Sequence, residues 1–236
     1  MTTYRRIAII VGVLFLAGYV GIFVGGAIYG PVLNSPDYLS TVYPNRIRVI
    51  IGMLVEVLLN DVPVIGIGVM LFPILKKYGE SMALWYAGNR IIEAVTIIVS
   101  TISALTVITI SREYIAAGAM DTSHFQATGA LALAGRYWAF DVIHTALFIV
   151  GTLILFSILY KSKLVPRFIS VWGLISTASL TAANVLGSAD PTQGFQITSV
   201  LLFPIMTSEA LLAIWLIVKG FNPSALASGS AETGTD

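Results

Sequence analysis

Residues 48–77 read RVIIGMLVEVLLNDVPVIGIGVMLFPILKK. Basic residues close both ends, Arg48 on one side and Lys76 and Lys77 on the other. Between them the stretch is apolar except for Glu56, Asn60 and Asp61. A helix needs about 20 predominantly apolar residues to cross the hydrocarbon core of a bilayer. This segment exceeds that length, so it reads as a membrane span with polar groups inside it. An ionised side chain at mid-bilayer costs about 2.5–3.5 kcal/mol on insertion scales. Glu56 and Asp61 therefore have to face other polar groups, water or a ligand, and not lipid.

The rest of the chain repeats the pattern. Apolar stretches run over about Ile7–Tyr29, Ile47–Leu75, Met82–Ile110, Trp138–Tyr160, Phe168–Leu186 and Ile197–Val218. Six spans predict an all-α integral membrane protein, a single six-helix bundle over residues 1–221. The composition agrees: 57 % of the 236 residues are hydrophobic and 11 % charged, against about 25 % charged in soluble domains. So few charges could not cover a soluble surface. A net charge of +1 without a basic run gives no footprint for nucleic acid. With no cysteine, disulfides, thiolate nucleophiles and thiolate metal sites are excluded.

Orientation follows from lysine and arginine placement. Arg5, Arg6, Lys76, Lys77, Lys161, Lys163, Arg167 and Lys219 fall on one side of six spans, and Arg46, Arg48, Arg112 and Arg136 on the other. The first group is larger and sits beside short loops, which places both termini in the cytoplasm. In the longer outer loop, Asp121-Thr122-Ser123 reads as a helix start. The following Gln126–Gly135 is expected to be an interfacial helix leading into the fourth span. The tail over residues 222–236 is rich in Ser, Ala, Gly and Thr and is expected to be a disordered cytoplasmic segment. One internal similarity stands out. Leu71-Phe72-Pro73-Ile74-Leu75 before Lys77 resembles Leu155-Phe156-Ser157-Ile158-Leu159 before Lys161, so spans two–three and four–five read as related hairpins.

Polar residues within the spans define the candidate site. Glu56 and Asn60 are four apart and share a helical face. Pro63 removes a backbone donor and frees the carbonyl of Leu59. Arg90 and Glu93 are three apart and can pair, and Thr96, Ser100 and Ser103 continue a polar stripe. Arginine stays charged, so Arg90 requires a carboxylate, either Glu93 or one from another helix such as Glu209. Asp141 and His144, three apart, are weak candidates for a catalytic acid–base pair or a metal pair. A carboxylate-bridged di-metal bundle needs a second such pair, which the chain lacks. Glu56, Asn60, Arg90, Glu93 and Glu209 are thus the expected ligand-binding residues, with the three glutamates converging on one cavity. Gly21 and Gly25 form a Gly-x-x-x-Gly pattern suited to close helix packing, within the bundle or in a homodimer. Tyr29, Tyr38, Tyr43, Tyr137 and Trp138 suit an aromatic belt. No haem, retinal or nucleotide is expected: histidine pairs, a mid-span lysine and a phosphate-binding loop are all missing.

Four stretches carry a family resemblance. They are Leu71-Phe72-Pro73-Ile74-Leu75-Lys76-Lys77, Gly88-Asn89-Arg90-Ile91-Ile92-Glu93, Leu164-Val165-Pro166-Arg167-Phe168-Ile169-Ser170-Val171-Trp172-Gly173, and Trp215-Leu216-Ile217-Val218-Lys219-Gly220-Phe221-Asn222. Together they resemble the prokaryotic membrane family catalogued as domain of unknown function 4386. The resemblance implies a multi-pass helical protein of a bacterial or archaeal plasma membrane. It implies no activity and no catalytic residue.

Five acids within the spans, Glu56, Asp61, Glu93, Asp141 and Glu209, then stand against Arg90. Close carboxylates cannot all ionise in a poor dielectric, so some hold protons or a cation is present. The leading expectation is a site that binds or translocates a proton, a cation or a small polar molecule. The alternatives are an intramembrane enzyme acting on a lipid, with a metal or an acid–base pair, and a structural or sensory module. The topology is open to a direct check in this cysteine-free chain. Cysteines placed at Asp37, Asp121 or Asp190 are expected to label with an impermeant thiol reagent in whole cells, and those at Gly79 or Ser162 are not. Labelling at Gly79 but not at Asp190 would invert the orientation.

Overall fold

Pro63 has no amide hydrogen, so the carbonyl of Leu59 loses its usual partner four residues on. In the computed structural model, which describes residues 3–118, 123–189 and 194–232, the helix widens to accommodate this. Arg46–Glu56 is α-helical, Val57–Asp61 is a π-helical turn, and Val62–Leu75 is α-helical again. The amide of Val62 reaches back five residues to the carbonyl of Val57. A short 3₁₀ turn, Lys76–Tyr78, ends this second span. Such single π turns occur often at functional sites.

The other long helices are Thr3–Leu33, Glu80–Ala117, Ser123–Ser162, Arg167–Ala189 and Gly194–Val218. With the second span they make six helices long and apolar enough to cross a membrane, and among the described residues there is no strand. A helix does occupy Ser123–Tyr137 before the fourth span. It continues without a break through a second π segment, Trp138–His144, into Thr145–Ser162. Asp121 and Thr122, read as its start, lie outside the described residues. Aligning Leu71 with Leu155 sets Val57 against Asp141 and Asn60 against His144. In this alignment the leading helix of each hairpin carries a π segment at overlapping positions.

Where one six-span domain is expected from sequence, contacts gather into two compact units. The first comprises Met1–Leu16, Pro63–Glu93 and Thr145–Asp236. Its core holds Val11, Leu71, Ile74, Phe156, Ile169, Leu212 and Leu216. Gly173 is required there, because a side chain on it would occupy the ring of Phe156. Pro204 interrupts the sixth span, and hydroxyls of the fifth meet its carbonyls: Ser179 Oγ donates to Leu201 O (2.8 Å) and Ser176 Oγ to Pro204 O (2.9 Å). Neighbouring hydroxyls commonly satisfy backbone beside a membrane proline in this way. At the end of the sixth span Arg5 donates to the carbonyls of Leu216 (2.8 Å), Ile217 (2.5 Å) and Val218 (3.2 Å). The guanidinium satisfies carbonyls that a helix end leaves open and complements its negative dipole.

Composition predicts an unstructured tail from Asn222, but Pro223–Glu232 is a helix. The start signals are local. Pro223 fits the first helical position, and Asn222 Oδ1 accepts from the amide of Ser224 at 3.1 Å, a capping bond. Tyr78 then anchors the helix by donating to Ala225 O at 2.7 Å. Residues 233–236 lie outside the described residues.

The second unit comprises Ala17–Val62 and Ala94–His144. Tyr29, Val32, Val42, Val49, Met53, Ala104 and Val107 form its core. Ser111 ties the connecting segment down: its Oγ donates to Leu39 O (2.6 Å) and accepts from the amide of Tyr43 (2.9 Å). The first span packs on the second through glycines. A Cβ on Gly21 would stand 2.8 Å from the backbone of Leu59, and one on Gly25 would stand 2.8 Å from Gly52 O and 3.1 Å from Glu56 Cβ. Gly21 and Gly25 are thus covered by their own chain, as packing within the bundle requires. Backbone neighbours cannot swing aside, and overpacking costs about 1–3 kcal/mol or more. Gly25→Leu is expected to lower the melting temperature in detergent sharply. The adjacent Gly26→Leu, whose Cβ would meet nothing within 4 Å, is expected to leave it nearly unchanged.

Candidate functional site

Each unit encloses one arginine among carboxylates. In the first unit Arg90, on the third span, is almost wholly buried. Its Nη1 meets Glu93 Oε2 at 2.8 Å, and its Nε donates to Tyr86 Oη at 3.1 Å. Its Nη2 lies 3.9 Å from Glu209 Oε1 on the sixth span, within ion-pair distance but beyond a hydrogen bond. The rings of Phe148 and Tyr86 flank the guanidinium at 5.3 and 5.5 Å. Glu93 is held from its other oxygen by Asn89, whose Nδ2 donates to Glu93 Oε1 (2.5 Å) and to Leu147 O (2.9 Å). Both acids named for Arg90 from sequence therefore surround it.

Two glycines make this network possible, and neither carries a sequence signal. A Cβ on Gly68 would stand 2.9 Å from Arg90 Cβ. One on Gly151 would stand 2.8 Å from both Asn89 Nδ2 and Glu93 Oε1. The polar cluster thus lies directly against helix backbone. Ser208 beside Glu209 is turned onto its own helix, donating to Ile205 O at 2.9 Å.

The second unit holds Glu56, Asn60 and Asp61, all buried. Glu56 is reached by a relay that sequence did not reveal. Arg136 Nη2 donates to Tyr29 Oη at 2.5 Å, and the Tyr29 hydroxyl is hydrogen-bonded to the Glu56 carboxylate. The Arg136 guanidinium also lies over the Tyr29 ring at 4.8 Å. Ser100 closes the group, accepting from Arg136 Nη1 and donating to Arg136 O, each at 3.4 Å. Arg136 reads in the sequence as an outer-loop charge and Tyr29 as a belt aromatic. The available signal was the position of Arg136 just ahead of Asp141, in a segment apolar enough to extend the fourth span.

The π turn at Val57–Asp61 brings Asn60 and Asp61 to successive buried positions. Asp61 Oδ1 and Oδ2, Glu56 Oε2 and Asn60 Nδ2 are buried without a hydrogen-bond partner among the described residues, as is Arg90 Nη2 in the first unit. The charged group acting on Asp61 is another acid, Glu56. Arg136 acts on Glu56 and on Asp141. Asn60 sits against the first span, where a Cβ on Gly18 would come 3.3 Å from Asn60 Oδ1.

Asp141 departs from expectation. Its side chain is exposed rather than interior. His144 stacks on Phe140, with ring centroids 5.0 Å apart. Both lie in the Trp138–His144 π segment, whose wider turn takes residues three apart off a common face and brings residues four apart together. Among the described residues no group of three histidine or acidic side chains is placed to hold a metal ion, so Asp141 and His144 gain no third ligand there. Glu93 and Glu209 come together in the first unit, and Glu56 belongs to the second.

The arginine cluster makes a thermodynamic prediction. Removing one member of a buried ion pair costs about 3–5 kcal/mol, whereas replacing the whole set with apolar groups is often neutral. Arg90→Met is expected to lower thermal stability markedly in detergent. Adding Glu93→Leu and Glu209→Leu to it is expected to restore much of the loss. A triple variant less stable than Arg90→Met would show that the acids have a role beyond neutralising the arginine.

A family model described as Domain of unknown function (DUF4386) matches residues 10–220. The match covers most of the chain, and the protein belongs to this family. No curated protein and no solved structure matches it.

Proposed function

We propose that this protein binds a proton or a small cation at Glu56 and Asp61, and that it does so as a multi-pass protein of a prokaryotic plasma membrane with both termini cytoplasmic. One observation carries the reading. Asp61 is 2 % exposed, and neither of its oxygens has a hydrogen-bond partner among the described residues. A buried ionised carboxylate without partners is prohibitively costly. The group therefore holds a proton or meets a cation. Its neighbour Glu56 adds a third oxygen in the same condition.

The surroundings suit such a role. Pro63 and the π turn alter the backbone hydrogen bonding beside Asp61. Arg136 and Tyr29 hold one end of Glu56 and leave Oε2 unpaired. This fixed cation, linked to Glu56 through a phenol, sets how strongly the glutamate competes for a second positive charge. Arg90, Glu93 and Glu209, by contrast, balance charge within ion-pair distance, an arrangement that supports helix register. An enzyme built on Asp141 and His144 gains no support from the stacking of His144 on Phe140.

The test uses the purified full chain in detergent and in proteoliposomes. Melting temperature is measured across pH and with sodium, potassium and ammonium salts, and flux is followed with an internal pH or cation dye. The wild type is expected to respond to pH or to one of these cations. Asp61→Asn and Glu56→Gln keep shape but lose charge, so both are expected to stay folded and to lose the response. Variants that remain as responsive as the wild type would sink the assignment of the site to these two acids.

A further inference from the structure

In the first unit, the loop between the fifth-span start and the preceding helix meets the end of the sixth span in an open cleft of about 540 Å³. Lys163, Arg167 and Lys219 line it together with Trp215, Phe221 and Asn222. Its lining contains three cations and no acid. Among the described residues none of the three forms a salt bridge; Arg167 instead lies over the Tyr160 ring at 5.3 Å. Charge of one sign is therefore concentrated in a concave site with nothing opposite it.

The cleft is also built, and is more than a gathering of loop lysines. Lys163 adopts a left-handed backbone (φ 55°), which turns the chain sharply between two helices. Asn222 locks that turn to the end of the sixth span. Its amide donates to Leu164 O at 2.8 Å, and its Nδ2 to Lys163 O at 3.4 Å. Gly220, at φ 79°, packs against Arg5. The three cations are thus held on a stapled frame.

What borders the cleft decides the ligand. Phe168, next to Arg167, is 58 % exposed, and Val218, next to Lys219, is 61 % exposed. Ile214 and Val171 continue this apolar surface. A free anion would use the cations and leave the apolar surface idle. A phospholipid uses both, placing its phosphate among the cations and its acyl chains along the apolar helix faces. We propose that this cleft is a binding site for the headgroup of an anionic phospholipid, with its acyl chains lying against the exposed apolar residues beside it. The side chains are those whose excess of positive charge predicts the cytoplasmic side, the side where anionic lipid attracts basic segments. The inference is independent of the role assigned to Glu56 and Asp61.

The experiment measures the melting temperature of the full chain in a neutral detergent at low salt. Phosphatidylglycerol, phosphatidylcholine of the same chain length, or inorganic phosphate is titrated in. The wild type is expected to be stabilised by phosphatidylglycerol at concentrations at least tenfold below those at which phosphatidylcholine acts, and not by phosphate. Each juxtamembrane cation contributes about fivefold to anionic-lipid affinity, so Arg167→Gln and Lys219→Gln are each expected to weaken the response by about that factor, and the triple variant with Lys163→Gln to abolish the preference. Arg46→Gln/Arg48→Gln, which removes the same kind of charge elsewhere, is expected to leave it intact. If the triple variant does not fold, the two single variants carry the test. Equal responses to the two lipids, an undiminished preference in the single variants, or full stabilisation by phosphate alone would each overturn the proposal, the last in favour of a free-anion site.

Discussion

Charge inside apolar helices has to be neutralised within the chain, and the interior of this protein is arranged around that demand. Arg90 cannot shed its proton, so the third span is committed to a position where Glu93 follows it and Glu209 faces it. The commitment extends into residues that carry no charge. Gly68 and Gly151 have to be glycine for the cluster to lie against backbone, and Asn89 has to occupy the remaining oxygen of Glu93. A buried pair of this kind is weak evidence for stability and better evidence for a fixed register. Here the register links the third and sixth spans of one unit.

The second unit meets the same demand incompletely. Arg136 serves Glu56 through Tyr29, yet Asp61 and one oxygen of Glu56 are left over. The contrast between the two clusters is more informative than either alone. In one, charge is balanced: Arg90 is ion-paired with Glu93 and lies 3.9 Å from Glu209, although its Nη2 makes no hydrogen bond. The other lies beside a proline-driven π turn and carries buried acceptors that the chain does not satisfy.

Much of this was legible in the sequence, for reasons that differ from residue to residue. The six spans follow from hydrophobic length alone. The partners of Arg90 followed from charge, since few acids share its depth. Arg136 and Tyr29 were obscured because arginine and tyrosine are ordinary residues at a membrane interface; the unbroken helix from Ser123 to Ser162 carries Arg136 to Tyr29 of the first helix. The π segments have different origins. Pro63 announces the one at Val57–Asp61, whereas no proline or glycine marks Trp138–His144, and we have no local cause for it. Within that unannounced turn His144 stacks on Phe140, four residues before it. The helix at Pro223–Glu232 was hidden by a composition that reads as disorder, although Asn222 and Pro223 are an ordinary helix start.

Arg5 stands at the beginning of the chain, and the carbonyls it binds belong to residues made last among the spans, Leu216 to Val218. A ribosome delivers these partners in order, so the first span enters the membrane long before its arginine has anything to hold. Only when the sixth span arrives can the latch close, with Gly220 fitting beneath it. The bond therefore marks completion: chains that stop short of the sixth span lack the carbonyls that Arg5 binds.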